Sequence, residues 1–259
     1  MSQIIDLNCD MGESFGAYNI GLDQEVIRYV TSANIACGFH ASDPTVMHRT
    51  VALCRRHQVG AGAHPGYPDL LGFGRRAMEC SEQELIDYVL YQVGALKGFL
   101  DYMDVELQHV KLHGALYNTL VNCDQPFFNI MRAVKKAFGD VIFLTLSTQK
   151  TAEFKKRARE EGIRLALEAF PDRMYTDQGE LVSRKEPGAV IKDRQVIAGR
   201  VVTMVKEKGI ASINNRWIPM DIDTLCIHGD NMESVAAAGE IRTVAEGEGI
   251  EFRPLGSFL

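Results

Sequence analysis

Short apolar stretches alternate with amphipathic helical segments along the whole chain. Ile4-Ile5, Asn34–Cys37, Val59–Ala63, Gln108–Leu112, Val141–Leu146, Ile163–Ala169, Asp221–Ile227 and Ile250–Phe252 read as strands. They are brief, rich in branched or small residues, and bounded by polar residues or glycine. The segments between them carry helix signals. Asp23–Ser32 has apolar residues at helical spacing, and Asp43-Pro44 supplies an N-cap and a proline at the first helical position of a helix to His57. Ser81-Glu82-Gln83-Glu84 is a capping box that opens a long helix. Further helices are expected from Asp124 to Phe138, Ser147 to Glu161, Asp193 to a stop at Gly209, and 232 to about 247. The stretch 171–192 is long and irregular, the character of a functional lid.

Seven or eight β-α units in alternation imply parallel strands wrapped by helices. An open dinucleotide- or phosphate-binding sheet would carry GxGxxG or GxxxxGK[ST], and neither occurs. The expectation is an α/β fold: one β/α-barrel of seven or eight parallel strands over residues 1–259, distorted or incompletely closed. Its length suits a single barrel domain. A formal net charge of −6 without a basic block argues against nucleic acid. The longest apolar runs, such as Val141–Leu144, are too short to cross a bilayer, and residues 1–20 show no secretory pattern. Six scattered cysteines form no CxxC pair, which excludes a zinc ribbon. Cys37, Cys54 and Cys226 read as buried small hydrophobes of a reducing compartment, so a cytoplasmic location is expected.

In a parallel barrel the C-terminal ends of all strands converge on one face. Here those ends carry Asp6, Asn8, Asp10 and Glu13, then His40, His64, Lys111 with His113, Glu168 with Asp172 and Arg173, and His228 with Asp230. His109 begins the strand that leads to His113, whereas His48 and His57 lie on a helix. Asn8 and Asp10 share one strand face with Asp6; Cys9 points the other way and is no nucleophile.

Two chemistries suit such a rim. Asp10, His40 and His64 offer one carboxylate and two imidazoles to a divalent metal such as zinc. Without metal, a carboxylate or imidazole acts as general base while Lys111 stabilises developing negative charge. Lys111 is equally well explained as the partner of Asp6 or Glu168. Anion binding is suggested by Gly229 with the helix start near Asn231, by Arg75-Arg76 after two glycines, and by Arg173 at a strand end.

Seven motifs together carry a resemblance over nearly the full length. They are Asp6–Glu13 (DLNCDMGE), Asn34–Ala41 (NIACGFHA), Gly62–Asp69 (GAHPGYPD), Gly72–Arg76 (GFGRR), Val110–Asn118 (VKLHGALYN), Glu168–Arg173 (EAFPDR) and Ile227–Asp230 (IHGD). With these the chain resembles the LamB/YcsF family. The resemblance implies a glycoside hydrolase/deacetylase-like barrel. It also implies a hydrolase acting on a cyclic amide: ATP-dependent opening of 5-oxoproline to L-glutamate, with Mg2+ accompanying ATP and two partner subunits, B and C. Asp10, His64, Lys111, His228 and Asp230 are then the catalytic candidates, with His228-Asp230 a proton-transfer pair. Asn8, His40, His113, Glu168, Arg173 and Arg75 are the substrate-binding candidates. The absence of a Walker motif means that any ATP contacts are unconventional or belong to a partner. The alternatives are a stand-alone metal-dependent amidase or deacetylase and a non-catalytic substrate-binding subunit.

Overall fold

The computed structural model describes residues 3–121 and 123–259. Eight strands are β1 (Gln3–Met11), β2 (Ser32–Ala36), β3 (Gly60–His64), β4 (Leu107–Lys111), β5 (Ile142–Leu146), β6 (Arg164–Ala169), β7 (Gly209–Ala211) and β8 (Trp217–Pro219). Two more, β9 (Thr224–Ile227) and β10 (Ile250–Phe252), complete the set among the described residues. β1 through β6 pair parallel in sequence order, β9 pairs with β6, and β1 closes the ring on β9. The result is the expected barrel, with seven strands in the ring.

The last expected strand, β10, lies outside the ring. It pairs only with the first residues of β1, in the register Gln3↔Ile250 to Ile5↔Phe252. From Asp6 onward β1 turns to β9 instead. β1 is therefore a long strand that changes neighbours midway, which is the distortion anticipated. Leu255, in a 3-10 turn just after β10, is buried against Ile142, Leu144 and Ala166 and plugs the apolar half of the barrel floor.

The main helices fall where their caps predict. The Asp43 carboxylate accepts from the amides of Thr45 and Val46 at the start of α2 (Pro44–His57), after the short α1 (Asp23–Val26). The Ser81-Glu84 capping box opens α3 (Glu82–Tyr102). α4 (Gly114–Leu120) was not expected; α5 (Asp124–Phe138) and α6 (Thr151–Glu160) were. Asp193 caps α7 (Arg194–Lys206), and α8 (Met232–Gly247) is the last of the helices named here.

Three differences have physical causes. α1 stops early because the Thr31 amide bonds the Leu7 carbonyl and draws the chain into β2. Gly209 does not stop a helix; it begins an antiparallel hairpin, β7–β8, where a Cβ would strike the Trp217 ring. The stretch 171–192 forms a strap pinned by isolated bridges, Arg173↔Val190 and Tyr175↔Leu181. All six cysteines are free, and Cys9, Cys37, Cys54 and Cys226 are buried. No helix among the described residues is long and apolar enough to cross a membrane.

Candidate active site at the barrel mouth

Strand alternation builds the barrel floor. Asp6, Asn8 and Asp10 all face inward, and register sets Asp10 beside Asn34 and Asp6 beside Thr224. Asp6 accepts hydrogen bonds from the hydroxyls of Thr31 (2.7 Å), Ser32 (2.6 Å) and Thr224. Burial nevertheless pushes its carboxyl up to about 6. Asn34 donates to Asn8 Oδ1 (2.7 Å) and Asp10 Oδ1 (2.8 Å), and its own Oδ1 meets His109 Nε2 at 2.7 Å. His109 is therefore a floor residue, fully buried.

Lys111 rises from this floor as a hub. Its ammonium lies 2.8 Å from Glu168 Oε1 and 3.1 Å from Asp10 Oδ1, with Asn8 Oδ1 at 3.3 Å. Of the two partners considered for it, Glu168 holds and Asp6 does not. Burial alone would lower the lysine; Asp10 and Glu168 outweigh it and raise it well above its ordinary value. Burial likewise would raise Asp10, but the charges of His64 and Lys111 hold it well below the usual carboxylate range. Glu168 also accepts from the Tyr117 hydroxyl at 3.1 Å. A buried lysine between two carboxylates is a fixed positive charge at the base of the mouth.

Above it sit three imidazoles. The Lys111 carbonyl can only accept, so His64 donates through Nδ1, at 2.8 Å. The Phe73 carbonyl likewise takes the Nε2 proton of His113, at 2.9 Å. These two carbonyls leave His64 Nε2 and His113 Nδ1 facing each other at 2.9 Å, with Asp10 Oδ2 3.2 Å from His64 Nε2. Three acceptors in one spot need a positive centre among them, a shared proton or a cation. His40 stacks on His113, ring centroids 3.7 Å apart, and is fully buried with neither ring nitrogen partnered among the described residues. Burial, then repulsion from the neighbouring imidazoles, lowers His40 well below its ordinary value, and burial with His64 brings His113 to about 3. Both rings are thus neutral and able to ligate.

The loop glycines hold this stack. Gly74, at φ +63°, lies so close that a Cβ there would meet His40 Cβ at 2.8 Å and His113 Cδ2 at 2.9 Å. Glu13, His40, His64 and His113 each place a ligand atom within 4.8 Å of the others, a donor set suited to a divalent metal. The metal expectation of Asp10, His40 and His64 is altered accordingly. Asp10 is taken up by Lys111, Asn34 and His64, while Glu13 and His113 join the cluster. Burial and then Asp10 raise the Glu13 carboxyl to about 8.

A cavity of about 330 Å³ opens over Asp10, His64 and Lys111, walled by Arg75, Arg173, Arg184 and His228. Arg173 is buried, and one of its NH2 groups donates to the Val182 carbonyl of the strap at 2.6 Å. Arg76 does not share this wall: it pairs with Asp69. His228 faces the cavity, but its partner is not Asp230. His228 Nδ1 lies 2.6 Å from Asp172 Oδ2, and its Nε2 accepts from the Arg184 guanidinium at 2.8 Å. Asp230 instead accepts from Asn231 Nδ2 and Ser234 Oγ at the α8 cap. The Asn231 side chain also occupies the Ser234 amide, so an anion finds that helix start already capped.

The structure thus gathers Asn8, Asp10, His40, His64, Lys111, His113 and Glu168 into one cluster, with Arg75, Arg173 and His228 around its cavity. Sequence reading passes over Asn34, Tyr117 and Arg184. Asn34 has a signal, an amide on an inward strand position; Arg184 has none, because the strap has no periodicity.

The chain belongs to the LamB/YcsF family, whose family model matches residues 5–259. It is 49% identical over 255 residues to the 5-oxoprolinase A subunit of Pyrococcus abyssi, covering 98% of this chain and 99% of that protein. A protein of the same name from Thermococcus onnurineus is 51% identical over the same shares. The crystal structure of a lactam utilization protein from Thermus thermophilus superimposes with a TM-score of 0.88 at 40% identity, covering 96% of this chain and 98% of that one. A putative cellobiose-phosphate cleavage protein of Enterococcus faecalis shares the fold alone, at 12% identity and a TM-score of 0.62.

Proposed function

We propose that this chain is the A subunit of an ATP-dependent 5-oxoprolinase, working with partner subunits B and C to open 5-oxoproline to L-glutamate. The observation that carries this reading is Asp10, held between Lys111 and His64 on the floor of the cavity. Its support from relatives is the shared name of proteins about half identical over the full chain.

A five-membered lactam is a resonance-stabilised amide that resists water at neutral pH. Transfer of the ATP γ-phosphoryl group to the amide oxygen, with ADP leaving, makes the ring carbon electrophilic. Water adds to that carbon, the ring C–N bond breaks, and the nitrogen takes a proton. The acyl phosphate so formed is hydrolysed by a second water to the carboxylate and phosphate. Asp10, oriented by Lys111 and His64, removes the proton of the attacking water. Lys111 and Arg173 face the negative oxygens, with Arg75 at the rim, while Asn8 and Glu168 hold Lys111 in place. His228, oriented by Asp172, delivers the proton to the leaving nitrogen. ATP contacts belong to unconventional groups or to a partner.

The imidazole cluster favours one further element. Buried His40 with both nitrogens free, and the converging lone pairs of His64 and His113, fit a divalent cation held with Glu13. Such an ion would supply Lewis-acid polarisation of the lactam oxygen. A stand-alone metal-dependent amidase is the second reading, and it rests on this cluster.

The test is an ATP-dependent glutamate-release assay on the chain alone and with its B and C partners. Release is expected only from the assembled enzyme, and Asp10→Asn, Lys111→Ala and His228→Ala should each abolish or cripple it. Full activity in all three variants, or activity without partners, overturns the reading. Stoichiometric zinc with hydrolysis in the absence of ATP turns it toward the amidase.

A further inference from the structure

Fifteen ion pairs occur among the described residues, and none includes Arg75, Arg173 or Arg184. These three arginines nonetheless wall one cavity, in a chain whose net charge is −6. Such a gathering of unpaired guanidinium groups is repulsive without an anion. The repulsion registers on the groups themselves: after burial, Arg184 is the largest cause lowering both Arg75 and Arg173.

The acidic neighbours do not neutralise them. Asp10 lines the same cavity but is engaged by Lys111, Asn34 and His64. Asp172, adjacent to Arg173 in the chain, turns to His228. Glu13 belongs to the imidazole cluster, and Asp230 is engaged by Asn231 and Ser234 at the α8 cap. Arg173 is 6% exposed, and its Nε is a buried donor with no acceptor among the described residues. A buried unmatched donor beside a cavity marks a place where a ligand oxygen completes the bonding.

We propose that Arg75, Arg173 and Arg184 form a cradle for a phosphoryl-type dianion at the wall of this cavity, with Arg184 supplied by the strap 171–192. The number of arginines decides between anions. One guanidinium pairs bidentately with a carboxylate, whereas a phosphoryl group offers three oxygens and up to two charges to several forks at once. This deepens the lactam-opening reading and rests on it for the place of a phosphoryl group in the reaction. Arg184 now donates to His228 Nε2. Recruiting it to the anion frees that lone pair, which is the site at which His228 must carry a proton to the leaving nitrogen.

The test measures binding of inorganic phosphate to the intact chain by calorimetry at low ionic strength. Arg184→Gln and Arg75→Gln serve as variants, because both side chains belong to exposed residues and their removal leaves the core untouched. Phosphate is expected to bind, and each variant to weaken it about tenfold or more. 5-Oxoproline, a monoanion, should change its affinity less than threefold in Arg184→Gln. A non-hydrolysable ATP analogue separates the sources. Competition with phosphate assigns the cradle to a nucleotide phosphate, and its failure to compete assigns it to the reacting lactam or released phosphate.

No phosphate binding at tens of millimolar, or unchanged affinity in both folded variants, overturns the cradle even if the assembled enzyme releases glutamate. Phosphate binding that depends on the arginines, in an assembled enzyme that releases no glutamate, retains the cradle and overturns the lactam-opening reading instead.

Discussion

The floor and the mouth of the barrel use the same residue types to opposite ends. On the floor, Asp6, Asn8, Asn34, His109 and Thr224 are fully buried, and each side chain finds hydrogen-bond partners within its own layer. At the mouth, His40 lacks any partner, Arg173 Nε and Asp172 Oδ1 are orphaned, and His64 and His113 turn lone pairs toward each other. A closed polar network specifies one packing of the strands. An open one costs stability and is retained where a ligand completes it. The boundary between the two runs through Asp10 and Lys111, which bond downward to Asn34 and Asn8 and upward to His64 and the cavity. Residues of the floor make the barrel, whereas those of the mouth keep bonding capacity open toward the cavity.

Four substitutions test that boundary, ordered by their expected effect on stability. Lys111→Ala sits on it and strikes both sides. It strands Glu168, which is fully buried, and should cost about 3–5 kcal/mol in denaturant unfolding. Under the proposed lactam opening, glutamate release by the assembled enzyme should fall by about 10³-fold, because Lys111 is there assigned to the negative oxygens.

Asn34→Ala belongs to the floor. It leaves His109 Nε2 and two oxygens, Asn8 Oδ1 and Asp10 Oδ1, short of a partner, so a loss of about 2–3 kcal/mol is expected. A melting temperature equal to wild type would show that the floor is not the tight network described.

Asp6 gives a pH signature. Its folded carboxyl titrates near 6, above its unfolded value, so the folded state keeps a proton that the unfolded chain releases. The stability this contributes is full below pH 4 and is lost as pH rises through 6, amounting to roughly 2–3 kcal/mol. Asp6→Asn should flatten that part of the stability–pH curve between pH 4 and 7. An unchanged slope would place the titration elsewhere.

His40→Leu is the smallest in stability and the most telling. Removing a buried imidazole with no partners should leave the melting temperature within a degree or two, or raise it. Activity of the assembled enzyme should still fall about 100-fold. A large drop in stability would mean that His40 is a structural residue of the floor type.

Most of this plan was legible in the sequence, for a definite reason. A strand in a parallel barrel shows its inward residues at every second position, so Asp6, Asn8 and Asp10 declare their face without any tertiary information. The common end of parallel strands then gathers His64, Lys111 and Glu168. What stayed hidden depends on elements without a period. Asp230, two residues from His228, was the natural local partner, yet the strand end at β6 and the strap bring Asp172 there instead. Arg184 reaches the cavity only because isolated bridges fold the strap over the mouth. The β7–β8 hairpin is not legible in the sequence because glycine reads as a helix stop whether or not a strand follows. β10 reads as a strand in the sequence, but only pairing shows that it augments β1 outside the ring.

Lys111 acts through two separate parts of itself. Its ammonium joins Asp10 to Glu168, while its carbonyl fixes the proton of His64 on Nδ1. Truncating the side chain keeps the carbonyl, and with it an imidazole already oriented. Lys111→Ala is therefore a receptor from which only the cation has been excised, lined by two carboxylates and open to the mouth. Small alkylammonium ions added to the solution have a ready seat there. Their size series would gauge the space the lysine fills, a ruler laid inside the barrel that the wild-type protein does not admit.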